Sequence, residues 1–99
     1  MNSKQRSFLK GIAMTTEPIF QIGKSALTPE LTTAVGEALE KRELVKISVL
    51  QNCLDDPKDM AARLADRTQS EVVQVIGKKI VLYRQAKEEK HRKIVPPRG

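Results

Sequence analysis

Ninety-nine residues, 39% hydrophobic and 30% charged, suit one compact domain and exclude both a disordered chain and two self-standing cores. Eighteen Lys and Arg against twelve Asp and Glu give a net charge of +6, and no run approaches the roughly 18 apolar residues that cross a bilayer. With two Phe, one Tyr and no Trp, the core must be aliphatic, and a broad platform of exposed aromatic rings is excluded.

Ser3 to Met14 predicts a helix, with Phe8, Leu9 and Ile12 on the buried side and Arg6 and Lys10 on a basic solvent side flanked by Lys4. Pro18 ends helical geometry by Glu17 and opens a short strand to Ile22. Gly23-Lys24-Ser25-Ala26 is a loop. Thr28 then suits an N-cap and Pro29 the first position of a second helix running to about Lys41. Leu44 to Leu50 predicts a second strand and Gln51 to Asp55 a loop. Asp56 caps a third helix, with Pro57 at its first position and Asp59 placed as in a capping box. Val72–Ile76 and Ile80–Tyr83 read as strands around Gly77-Lys78, a two-residue turn whose leading glycine suggests type II′. The order is α-β-α-β-α-β-β. Helices between the first three strands imply crossovers and parallel pairing, and the final hairpin adds an antiparallel pair, so an α/β domain with a mixed sheet is expected. From Gln85 the chain is charged and shows no apolar face. Residues 1–84 are therefore expected to be the domain and 85–99 a flexible basic tail.

The charge is uneven. Residues 1–24 carry +3, residues 25–76 carry −3 and residues 77–99 carry +6. Both ends attract a polyanion and the middle repels it. Lys41, Arg42 and Lys46 sit among Glu37, Glu40 and Glu43, where local ion pairing is the simpler expectation. Cys53 is alone, so neither an intramolecular disulfide nor a cysteine metal site can form, and a reducing, cytoplasmic setting without a signal peptide is expected. Catalysis finds no support: His91, the single histidine, lies in the charged tail, so no nucleophile–base pair or metal cluster can be built around it. Capping accounts for Asp56 without a cation. Gly23-Lys24-Ser25 lacks the upstream glycine of a nucleotide-binding phosphate loop.

Four segments carry a family resemblance: Lys4-Gln5-Arg6-Ser7-Phe8-Leu9-Lys10, Pro18 through Thr28, Ala38 through Ile47, and Val73 through Arg84. In order and spacing they resemble the stand-alone bacterial CRM-domain proteins, the YhbY family. The resemblance implies a single RNA-binding domain with a four-stranded mixed sheet packed with helices, similar to the C-terminal domain of bacterial translation initiation factor three. It also implies a non-catalytic role on precursors of the large ribosomal subunit, with ribosomal RNA as partner. No cofactor, membrane or small-molecule substrate is implied, and a monomer is expected. The family's GxxG loop, likened to that of KH domains, maps onto Gly23-Lys24-Ser25-Ala26, where Ala26 replaces the second glycine. Either the loop has a geometry alanine permits, or its backbone approaches RNA less closely.

The expected RNA-binding residues are thus Lys4, Arg6 and Lys10 on the first helix, Gly23, Lys24, Ser25 and Ala26 in the loop, and Lys78, Lys79 and Arg84 around the hairpin. Phe8 and Phe20 are expected in the core, while Tyr83 fits core or surface. The competing reading is a protein-binding adaptor that docks a ribosomal protein or assembly factor through its acidic middle or an exposed strand edge.

Overall fold

The computed structural model describes residues 1–97; Arg98 and Gly99, the end of the expected tail, lie outside the described residues. The elements run α1 (Ser3–Met14), β1 (Phe20–Ile22), α2 (Pro29–Arg42), β2 (Leu44–Val49), α3 (Pro57–Thr68), β3 (Glu71–Ile76) and β4 (Lys79–Tyr83), followed by a 3-10 turn at Glu89–His91. Caps set the helix starts. Asn2 and Gln5 form a reciprocal capping box, with bonds of 2.8 and 3.1 Å. Thr28 Oγ1 accepts from the Leu31 N–H at 3.1 Å, and Asp56 from the Lys58 N–H at 3.2 Å, each followed by proline at the first helical position. Asp59 departs from the expected capping box: it pairs with Arg63 at 3.4 Å, and Arg63 also reaches Asp55 at 3.6 Å.

The sheet order is β1-β2-β4-β3. β1 and β2 are parallel, joined by the α2 crossover, and β4 runs antiparallel to both neighbours, so the sheet is mixed as expected. Gly77 has φ +54 and Lys78 has no positive φ, the sign pattern of a type II′ turn. Alternation along the strands splits the core in two. Ile22, Val45, Ile47, Ile80 and Leu82 pack beneath α2 and α3, against Val35, Leu39, Met60 and Leu64. On the opposite face, Leu44, Val73, Val81 and Tyr83 pack beneath α1, against Leu9 and Ala13. Tyr83 is thereby a core residue, and Phe20 is partly buried against the larger core. Phe8 is not in the core: the buried stripe of α1 is centred on Leu9 and Ala13, which leaves Phe8 40% exposed. Among the described residues no helix is long and apolar enough to cross a membrane.

Residues 86–94 lie against the domain rather than projecting from it, and two carboxylates explain why. Glu43 ends α2 with φ +66 and is fully buried. Its carboxylate accepts three backbone N–H groups: Ala86 at 2.8 Å, Lys93 at 2.6 Å and Ile94 at 2.9 Å. Burial pushes its pKa up, but these bonds and the Arg92 charge outweigh it and hold the group below the usual carboxylate range. Glu40, one turn earlier, accepts the N–H groups of Lys87 (2.8 Å) and Glu88 (3.0 Å). Those bonds, helped by His91 and Arg84 against some desolvation, lower its pKa to about 2. Ala86 is buried and Ile94 packs on the α1-side core. The tail lacks an apolar stripe because main-chain donors, not side chains, hold most of it in place.

Candidate functional site

One end of the sheet gathers three loops. β1 and β2 finish there side by side, with the Leu50 N–H donating to the Ile22 carbonyl at 2.8 Å. The β3–β4 turn joins them, because the Val49 N–H donates to the Lys78 carbonyl at 2.7 Å. Gly23-Lys24-Ser25-Ala26 and Gly77-Lys78-Lys79 therefore crown the same edge, separated by the end of β2. Lys24, Ser25, Lys78 and Lys79 are exposed. Asp55 and Asp59 follow from β2 at this end, but Arg63 of α3 offsets them.

Within the Gly23 loop the backbone closes a turn, the Ala26 N–H donating to the Gly23 carbonyl at 3.0 Å. Ala26 has φ +54, so it occupies the left-handed region in spite of its methyl group. Gly23 does not have a positive φ, and a Cβ there would meet Asn52 Oδ1 at 3.5 Å and Leu50 Cδ1 at 3.7 Å, ordinary contact distances. The pairing is inverted: alanine stands where the backbone favours glycine, and glycine stands where the protein's own packing does not require it. Gly23 itself is half-buried against these two side chains, and the exposed part of the loop is Lys24-Ser25. Replacing Ala26 by glycine should remove about 1–2 kcal/mol of left-handed strain and add about 0.4–1 kcal/mol of unfolded-state entropy. A net stabilisation of about 0.5–1 kcal/mol is expected for Ala26→Gly, read as a higher urea midpoint at unchanged slope. A lower midpoint would contradict this account of the loop.

α1 crosses the other face of the sheet. Its Arg6 Nη1 donates to the carbonyls of Val72 and Val73 on β3, both at 2.8 Å, and its Ala13 carbonyl accepts from Lys46 Nζ on β2 at 3.1 Å. Lys10 is exposed and stands one turn after Arg6 on the same flank of α1. Lys4 shares its flank with Phe8, away from Lys10.

The structure thus brings together Gly23, Lys24, Ser25, Ala26, Lys78 and Lys79, while Lys4 and Lys10 are exposed on α1. Two expected members are engaged elsewhere. Arg6 is half-buried on the β3 carbonyls, where a register shift between Val72 and Gln74 breaks the ladder and leaves main-chain acceptors to satisfy. Arg84 turns to the opposite face: its Nη2 donates to the Gly36 carbonyl at 2.9 Å and lies 3.8 Å from Glu40. The expected local pairs of Lys46, Glu40 and Glu43 do not form, since Lys46 binds α1 while both glutamates bind the C-terminal segment. Asn52, beside Gly23, carries no signal in the sequence, because only the fold brings the two loops together.

The CRS1 / YhbY (CRM) domain model matches residues 1–84. The Probable RNA-binding protein YqeI of Bacillus subtilis is 46% identical over 90 residues, covering 91% of this chain and 94% of that protein. An RNA-binding protein of Haemophilus influenzae is 31% identical over 90 residues, covering 91% of each. The solution structure of the protein SAV1595 from Staphylococcus aureus superposes with a TM-score of 0.77 at 43% identity, covering 96% of this chain and 99% of that one.

Proposed function

The chain belongs to the CRS1/YhbY (CRM) domain family, and from that premise we propose that it is a non-catalytic, monomeric RNA-binding protein of the cytoplasm. Its partner in this reading is ribosomal RNA in precursors of the large subunit, during assembly. The RNA partner is supported by the names of its relatives and by the surface chemistry, the ribosomal setting by the family resemblance. The observation that carries the reading is the meeting of the Gly23 loop and the Lys78-Lys79 turn at one sheet end, with Lys10 as an exposed cation on α1. Lysines there neutralise phosphates, and the exposed Lys24-Ser25 stretch of the loop offers a sugar–phosphate chain a hydroxyl beside an ammonium. Arg6 and Arg84 hold the scaffold in this account, and Lys4 adds long-range attraction. The groove of about 640 Å³ between α2 and α3 is a poorer seat for a polyanion, because Glu37, Glu40 and Glu88 there balance Arg67, Arg84 and Lys87, and Arg84 is already held by the Gly36 carbonyl beside Glu40.

Titration of a ribosomal RNA fragment at several salt concentrations tests the reading. Log affinity is expected to fall linearly with log salt, with a slope that reports about 3–6 phosphate contacts. A flat dependence would favour the adaptor, to which Leu54, 97% exposed in the loop before α3, lends its one specific observation.

A further inference from the structure

The strand register lays one row of side chains across all four strands on the face that carries α1. Gln21 of β1 pairs with Ser48 of β2, Ser48 with Lys79 of β4, and Lys79 with Ile76 of β3. The neighbouring row, with Lys46 and Val81, lies under α1. The Gln21 row is open: Gln21 and Lys79 are exposed, Ile76 is 63% exposed and Ser48 is half-buried. A sheet face beside a covering helix ordinarily alternates into core. Here it carries an amide, a hydroxyl, an ammonium and an apolar side chain in line. Three strand spacings make the row about 14–15 Å long, the length of about four stacked nucleotides.

We propose that this row is where the protein reads bases of a single-stranded RNA segment, a claim that rests on the RNA-binding reading above. The surroundings select that occupant. Lys24 stands at the loop end beyond Gln21 and Lys79 lies within the row, so cations adjoin the neutral hydrogen-bonding groups of Gln21 and Ser48 on both sides. A strand with its phosphates toward the lysines turns its base edges onto Gln21 and Ser48. The Gln21 amide offers a donor and an acceptor together, which suits a base edge and discriminates between bases, whereas a lysine on a phosphate does not. Ile76 closes the row with an apolar surface on which a base can rest. The edges of a paired duplex are already engaged, so an unpaired segment is the substrate that fits.

The test uses the full chain and a fluorescent RNA 10-mer pool randomised at four central positions, with the bound fraction sequenced. Wild type is expected to enrich particular tetranucleotides roughly tenfold. Gln21→Ala with Ser48→Ala should flatten that enrichment to within about twofold, while pool affinity falls less than about threefold and the salt slope stays the same. Lys24→Glu should do the reverse, lowering affinity and slope while keeping the enrichment. Gln21 is exposed and Ser48 half-buried, and a thermal melt confirms that the double variant folds. Enrichment retained by the double variant, or wild type binding the pool without enrichment, would overturn the base-reading row while leaving RNA binding intact. Wild type failing to bind the pool at any salt would overturn the RNA-binding reading and the row with it.

Discussion

Charge reversal at Lys10 and Lys24 together is expected to weaken RNA binding by roughly 25–60-fold at 0.1 M salt, since each lost phosphate contact removes about 0.7–0.9 from the log–log salt slope. The variant, Lys10→Glu with Lys24→Glu, should therefore show a slope shallower by about 1.4–1.8 as well as lower affinity. Stability should stay within about 0.5 kcal/mol, because both side chains are exposed and neither holds a structural bond. The same exchange at Arg6 would be uninformative. That guanidinium satisfies two β3 carbonyls, so its loss damages the fold before it touches any ligand. Unchanged affinity in the lysine variant, with the fold intact, would remove this end of the sheet as the binding surface.

Glu43→Ala is expected to cost about 3–5 kcal/mol, because it removes a buried carboxylate that three backbone N–H groups share and leaves those donors without a partner. At about 4–8 °C per kcal/mol for a domain of this size, the melting temperature should drop by at least about 12 °C. Glu43→Gln should fall between, since its amide keeps one acceptor but sets an NH2 against an N–H donor. The same carboxylates make stability depend on pH. Glu40 and Glu43 both titrate lower in the folded chain than their ordinary value of 4.5, Glu40 at about 2. A depressed folded pKa adds stability above the unfolded value, and that stability is lost as pH falls through the folded one. Urea denaturation should thus show stability flat above about pH 5.5 and declining from about pH 5 toward pH 2, with the decline reduced in Glu40→Gln. A wild-type profile flat down to pH 3 would contradict the assigned bonds.

Local chemistry made the scaffold readable. Thr28-Pro29 and Asp56-Pro57 announce helix starts because the cap and the missing proline N–H act within one turn, and Gly77 announces its turn by its own φ. Long-range chemistry was not readable. Arg6 and Arg84 look like free surface charges in a sequence, and only the folded chain shows them on the carbonyls of Val72, Val73 and Gly36. The docking of residues 86–94 escaped for the same reason: its donors are main-chain N–H groups, which every residue possesses. Phe8 was misplaced by a small rotation of the helix. The stripe through Phe8, Leu9 and Ile12 and the stripe through Leu9 and Ala13 differ by less than one residue's turn, and the sheet selects the second. The Gln21–Ser48–Lys79–Ile76 row depends on register across four strands, and no single segment encodes that.

In the proposed reading, RNA lies on one sheet end, crowned by the Gly23 loop and the Lys78-Lys79 turn. Backbone amide chemical shifts followed during titration with a ribosomal RNA fragment test it most directly. The largest changes are expected on Gly23–Ala26, Gly77–Lys79 and the helix around Lys10. Changes confined to the groove between α2 and α3, at Thr33, Glu37 and Arg67, would contradict it.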